Sequence, residues 1–150
     1  MNRSRPLAAN RAAFALALGL ALTPGLLCAQ ALPKATEARV AAALGSTPNY
    51  FELVWAPSPK GDLALAVVYY PNPAGGNSFD IGAGVFRIGE GRLSLAGPVA
   101  IYGQQPRDVT FSADRIELTT TTMRDGDPRC CPSGATRFSI DTRTLAVTKH

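Results

Sequence analysis

Short runs of β-favouring residues, separated by turn residues, dominate the chain beyond Thr47 and restrict its fold more than any other feature. Pro, Gly and Asn recur about every eight to twelve residues between runs of Val, Ile, Phe, Tyr and Thr, which is the spacing of strands joined by turns. Parallel neighbours need connections of about a dozen residues or more. We therefore predict a mainly antiparallel β-sheet.

Alternating apolar positions assign the first four strands individually. We predict strands over residues 50–55, 63–70, 79–88 and 93–99. The second is apolar throughout, so it is expected to be central and covered on both faces. In the third, Gly82 and Gly84 coincide with a shift in the alternation and predict a β-bulge.

The last third of the chain has the clearest alternation of apolar and polar residues. It predicts strands over residues 108–111, 116–124, 136–141 and 145–147. Ile116, Leu118 and Thr120 share one face, while Glu117 and Thr119 face the other way. Because the turns between these strands are short and polar, the four strands are expected to form an antiparallel meander.

One short helix is predicted before the strands, over residues 32–44. This segment is rich in alanine, has Pro33 near its start and ends at Gly45, all of which favours a helix. Its apolar side would hold Leu32, Ala35, Val40, Ala41 and Leu44. The predicted fold class is therefore α+β, with a short N-terminal helix packed on a mainly antiparallel meander sheet.

Residues 1–31 have the organisation of a secretory signal peptide. Arg3, Arg5 and Arg11 precede an uncharged apolar run over residues 12–22, which is shorter than the ~20 residues of a membrane-spanning helix. Cleavage is predicted after Ala31, with Ala29 as the close rival. We therefore expect one α+β domain over residues 32–150, periplasmic or secreted, with no membrane span after cleavage.

A lipoprotein is the alternative reading of this segment, because Cys28 follows the apolar run at the position that bacterial lipoproteins modify. A lipobox requires a small residue immediately before that cysteine, and Leu27 is large. The sequence therefore favours a cleaved signal over a lipid anchor.

The charge balance excludes one class of partner. Three of the 15 basic residues lie in the signal segment, so twelve remain against 11 acidic residues. They are spread singly along the chain, which gives no electrostatic footprint for nucleic acid. We expect no nucleic acid partner, and instead an envelope protein or wall component whose identity the sequence does not give.

The loop over residues 125–134 has the most unusual chemistry, because Cys130 and Cys131 are adjacent and are the two cysteines that remain after signal cleavage. In an oxidising compartment they are candidates for a vicinal disulfide. Such a ring is strained, since consecutive Cα atoms lie ~3.8 Å apart and ordinary disulfides span about 4.4 to 6.8 Å. A buried thiol pair, intermolecular pairing and redox or thiophilic-metal chemistry remain alternatives.

The neighbours of the two cysteines set their environment. Pro128 and Pro132 restrict the loop, and Pro132 favours an extended backbone at Cys131. Arg129 would lower a thiol pKa, whereas Asp125 and Asp127 oppose it. We predict no metal site, since adjacent cysteines chelate poorly compared with Cys-x-x-Cys and the sole histidine, His150, ends the chain.

The segment from Gly126 to Gly134, followed by Arg137-Phe138-Ser139-Ile140, resembles a hairpin with the pattern DPxCCPS/T. This hairpin occurs in a family of bacterial secreted proteins and lipoproteins that includes the mycobacterial LppP/LprE type. A Gly75-Gly76 turn after the apolar strand is similar to that of the same module. The resemblance covers roughly residues 63–148. It implies a fold and an envelope location, and no catalytic residues.

Function is the least constrained inference. The carboxylates fall mostly on turns or outward strand positions, where solvation is their usual role, so no catalytic residue and no cofactor is predicted. The leading hypothesis is a non-enzymatic envelope domain that binds through the face or loops of its sheet. The alternatives are a redox or copper-handling protein that uses Cys130 and Cys131, and an enzyme whose site the sequence does not reveal.

Overall fold

The computed structural model describes residues 31–46, 49–75 and 78–150. This part of the chain is mainly antiparallel β, with one short helix before the first strand. The elements are α1 (Lys34–Ala43), β1 (Glu52–Pro57), β2 (Leu63–Pro71), β3 (Phe79–Gly89), β4 (Arg92–Pro98), β5 (Gln104–Phe111), β6 (Arg115–Thr122), β7 (Gly134–Asp141) and β8 (Val147–Lys149). The predicted signal peptide up to residue 30, including Cys28, lies outside the described residues.

The eight described strands form two four-stranded sheets rather than the one sheet that the sequence predicted. The strand orders are β1-β2-β3-β4 and β5-β6-β7-β8, and every neighbouring pair is antiparallel. The predicted meander of the last four strands is confirmed. Between β4 and β5 the chain leaves the first sheet, with Val99 and Ile101 buried at the crossing.

The main core lies between the two sheets. Apolar side chains of β2 and β3 pack there against those of β6 and β7, including Leu65, Val85, Ile116, Phe138 and Ile140. Because side chains alternate along a strand, each sheet turns one apolar face inward. A single open sheet would leave one of these apolar faces in water. Packing the two sheets face to face buries both.

Strand β2 is buried on both faces, as its continuous apolar sequence predicted. Leu65 and Val67 point into the core between the sheets. Ala66 and Val68 point the other way, into a second cluster that the helix covers. The molecule therefore has three layers, the helix, the first sheet and the second sheet.

Helix α1 contacts the first sheet through its C-terminal end. Val40, Ala41 and Leu44 are buried against side chains of β2 and β3. Ala35 is exposed, so the prediction that it shares the apolar side is wrong. In the described part of the chain no helix is long and apolar enough to cross a bilayer.

Gly82 and Gly84 do not form the predicted bulge. The pairing of β2 with β3 is regular through both glycines, and the register shift lies between Val85 and Phe86, in the pairing with β4. The glycines instead make room for the end of the helix. A Cβ atom at Gly82 would lie 2.1 Å from the carbonyl oxygen of Leu44, and one at Gly84 would lie 2.7 Å from its Cδ2.

Candidate functional site

The cysteine loop between β6 and β7 is closed by one carboxylate. Oδ2 of Asp127 accepts hydrogen bonds from the backbone N–H groups of Arg124, at 2.8 Å, and Ser133, at 2.7 Å. Oδ1 accepts the Ser133 hydroxyl at 2.8 Å. These bonds hold the pKa of Asp127 below its ordinary value, with the Arg124 N–H as the largest cause. Asp127 and Ser133, the first and last side chains of the DPxCCPS pattern, thus clasp the two ends of the loop together.

Inside this clasp the backbone makes a tight turn. The N–H of Cys131 donates to the carbonyl oxygen of Pro128 at 2.9 Å, which matches a β-turn over these four residues. The turn places both cysteines at the exposed tip of the loop. The loop is therefore shaped by Pro128, Asp127 and backbone bonds without a covalent bond between the cysteines.

Cys130 and Cys131 are free thiols in this structure, and both are exposed. The alternative of a buried thiol pair is therefore wrong, while the vicinal disulfide remains a prediction. The pKa of the Cys131 thiol is raised, first by its hydrogen bond with the Cys130 side chain, then by desolvation and by the charge of Asp127. Since thiolates are the reactive form, a raised pKa disfavours reaction at Cys131.

A groove of about 960 Å³ opens beside the loop, at the end of the molecule where β3, β6 and the β4–β5 crossing meet. Its apolar wall includes Phe79, Ile81, Tyr102 and Met123. Two of the predicted loop residues, Arg129 and Pro132, line the same groove together with Cys130. The structure thus joins the cysteine loop to an apolar surface that the sequence did not reveal.

The aromatic wall of the groove rests on the core. The Tyr102 ring meets the buried Phe138 edge-on, with centroids 5.1 Å apart, and the Phe79 ring meets Tyr69 at 5.6 Å. Edge-to-face contacts of this kind fix ring orientation. Burial raises the pKa of Tyr69 to about 12, so its neutral hydroxyl donates to the Gly103 carbonyl oxygen at 3.2 Å.

Three hydroxyls in the groove wall have partners within the protein. The hydroxyls of Thr122 and Thr136 lie 3.1 Å apart and hydrogen-bond each other. The Thr121 hydroxyl accepts from the Arg107 guanidinium at 2.8 Å. The remaining polar side chains of the wall are those of Ser78, Gln104 and Arg129, and the rest of the groove surface is mainly apolar.

The sulfur atoms of Cys130 and Cys131 are the donors at this site that a thiophilic metal would use. Within the described ranges, this loop included, no three or more His, Cys, Asp and Glu side chains come together as a metal-binding group.

We expect Asp127→Asn to loosen the loop while leaving both sheets intact, because an amide cannot reproduce the acceptor bonds of the carboxylate. Hydrogen exchange at the Arg124 and Ser133 amides should become faster, as those amides lose a charged acceptor. Asp125→Asn, in the same exposed loop, is the matched control and should leave both amides protected. Unchanged exchange in Asp127→Asn would contradict the clasp.

The same clasp has a predictable pH dependence. The folded pKa of Asp127 lies below its ordinary value of 3.8, so its stabilisation is complete above about that pH and is lost as the pH falls through the folded pKa. The difference in melting temperature between the parent and Asp127→Asn should therefore be constant near neutrality and disappear in acid. A difference that grows on acidification would contradict this assignment.

In comparisons with protein-family models, with curated proteins and with solved structures, nothing matches this chain.

Proposed function

We propose that this is an exported envelope protein whose mature domain is a non-enzymatic binding module, and that the groove beside the cysteine loop is its binding surface. Removal of residues 1–31 would make the helix the first element of a mature α+β domain. The resemblance of the cysteine hairpin to LppP/LprE-type lipoproteins supports the envelope location. The partner is expected to be an envelope protein or wall component.

One observation carries this proposal, the clustering of exposed apolar side chains at the groove. The large hydrophobic residues exposed in the described part are Phe51, Phe79, Tyr102 and Met123. Three of them line the groove, and Phe51 shares an adjoining depression with Phe79. Soluble proteins rarely expose large contiguous apolar patches without a binding role, so this end of the molecule is the best candidate surface.

The chemistry of the groove favours binding over catalysis. Among the described residues that line it there is no Asp, Glu or His. General acid–base catalysis relies mostly on those side chains, and Cys130 has no base beside it in the groove wall. The groove has a shape and an apolar surface, and these suit recognition.

A redox or copper-handling role remains the second candidate, because the two thiols are exposed and unbonded. The raised pKa of Cys131 opposes thiol exchange. A thiol count on protein purified without reductant separates the candidates. Two reactive thiols favour the redox or metal role. A stable intramolecular disulfide, which makes the protein two hydrogens lighter than its dithiol form, favours the non-enzymatic binding module.

We predict that the mature protein begins at Leu32 or Gln30, because Ala29-Gln30-Ala31 offers signal peptidase small residues at the positions it reads. The intact mass of the protein recovered from the envelope or medium measures this directly. A diacylated N-terminal Cys28 would contradict a cleaved soluble form and establish a lipoprotein.

Photocrosslinking tests the binding surface. The crosslinking amino acid p-benzoylphenylalanine is placed at Met123, in the groove, and at Thr148, which is exposed on β8. Irradiation of producing cells should give one dominant adduct from Met123 and none from Thr148. The same adduct from both positions, or none from Met123, would contradict the groove as the binding surface.

A further inference from the structure

We propose that the groove takes a long-chain monocarboxylate, with its apolar chain against Phe79, Tyr102 and Met123 and its carboxylate paired with Arg129. This inference rests on the proposed function, in which the groove is the binding surface, and names a small molecule as its ligand in place of the expected envelope protein or wall component.

The size of the groove points to a small molecule. Ligand pockets have volumes of about 300 to 1,000 Å³, and the groove, at about 960 Å³, is at the upper end of that range. Its exposed apolar residues come from three elements, β3, the β4–β5 crossing and the end of β6. A flexible apolar chain can contact all three together.

The apolar wall decides what kind of small molecule fits. The hydroxyls of Thr121, Thr122 and Thr136 hydrogen-bond within the protein, and the contact surface beside them comes from Phe79, Ile81, Tyr102 and Met123. The wall therefore selects a ligand that is apolar along most of its length.

The charge of the groove selects the head group. Arg129 is the one charged side chain among the described residues that line it, and the ion pairs in the described part, Arg107 with Asp108 and Arg137 with Glu117, do not involve it. Asp127, two residues away, has both oxygens engaged by Arg124 and Ser133. The Arg129 guanidinium is therefore available to a carboxylate, whose geometry it matches with two parallel N–H donors.

Fluorescence titration tests this assignment. The probes are dansyl-labelled undecanoate and its methyl ester, used below their aggregation concentrations on the purified exported protein. We expect the carboxylate to bind about tenfold more tightly than the ester, which corresponds to about 1.4 kcal/mol. Arg129→Gln should abolish that preference and leave ester binding unchanged, whereas Arg143→Gln, on the distant β7–β8 turn, should change neither.

A second variant tests the apolar contact. Met123→Glu places a carboxylate in the groove at an exposed position, so it should weaken both probes without unfolding the domain, which circular dichroism checks. Equal affinity for acid and ester, or full preference in Arg129→Gln, would overturn the assignment. If neither probe binds while the Met123 crosslink forms, the ligand class is wrong and the proposed function stands. If neither probe binds and the Met123 crosslink does not form, the groove is not the binding surface.

Discussion

Phe138→Ala is expected to lower the free energy of unfolding by about 3 to 5 kcal/mol, the usual cost of deleting a buried phenylalanine ring. Phe138 is 2% exposed and lies in the core between the two sheets. Its ring also supports Tyr102 in the groove wall, with centroids 5.1 Å apart. The substitution removes both contacts and leaves a cavity under the groove. Urea denaturation measures the loss.

The matched control is Phe51→Ala, because Phe51 is 68% exposed. An exposed side chain contributes little to the core, so this variant should stay within about 0.5 kcal/mol of the parent. Equal losses in the two variants would contradict the placement of Phe138 in the core between the sheets.

Gly82→Ala is expected to destabilise the protein by about 3 kcal/mol, at the upper end of the ordinary cost of overpacking. The added Cβ would lie 2.1 Å from the carbonyl oxygen of Leu44. That neighbour is backbone, so the end of helix α1 must move away from the first sheet. The movement would also pull Leu44 out of the cluster it forms with Ala66 and Phe86.

Gly89→Ala, at the end of the same strand, separates this contact from the general effect of alanine in β3. A Cβ at Gly89 meets nothing within 4 Å, so this variant should melt within a few degrees of the parent. Equal melting of both variants would show that the helix does not pack on Gly82.

Much of this fold could be predicted from alternation along the chain. Each strand of the last meander has one apolar face, and two of its three connections, residues 112–114 and 142–146, are short, so pairing between neighbours follows largely from local sequence. The double burial of β2 also followed from sequence, because Leu65 and Ala66 are adjacent and both apolar. These are local patterns, which a single sequence carries well.

The division into two sheets could not be predicted in the same way. Whether β5 pairs with β4 or turns away depends on the path around Ile101, and the alternation of neither strand records it. The role of Gly82 was misassigned for a related reason. A glycine within a strand indicates either a bulge or a close approach of backbone, and only the position of Leu44 decides between them.

Of the candidate site, the cysteine loop could be predicted from the sequence and the apolar wall could not. Cys130 and its neighbours stood out because adjacent cysteines are rare and Pro128 and Pro132 frame them. The apolar wall was missed, since Phe79, Tyr102 and Met123 belong to separate elements and each is unremarkable in its own segment. No pattern within one strand reports that three side chains share a surface.

The central claim, that the protein binds through the apolar groove rather than through its thiols, is tested most directly by the yield of the Met123 photocrosslink in two variants. Phe79→Glu places a charge on the groove wall, and the Cys130→Ser/Cys131→Ser double variant removes both thiols with little change in shape. Circular dichroism confirms that both are folded. We predict that Phe79→Glu loses the adduct and the double serine variant keeps it. Loss of the adduct in the double serine variant, with full yield in Phe79→Glu, would contradict this account.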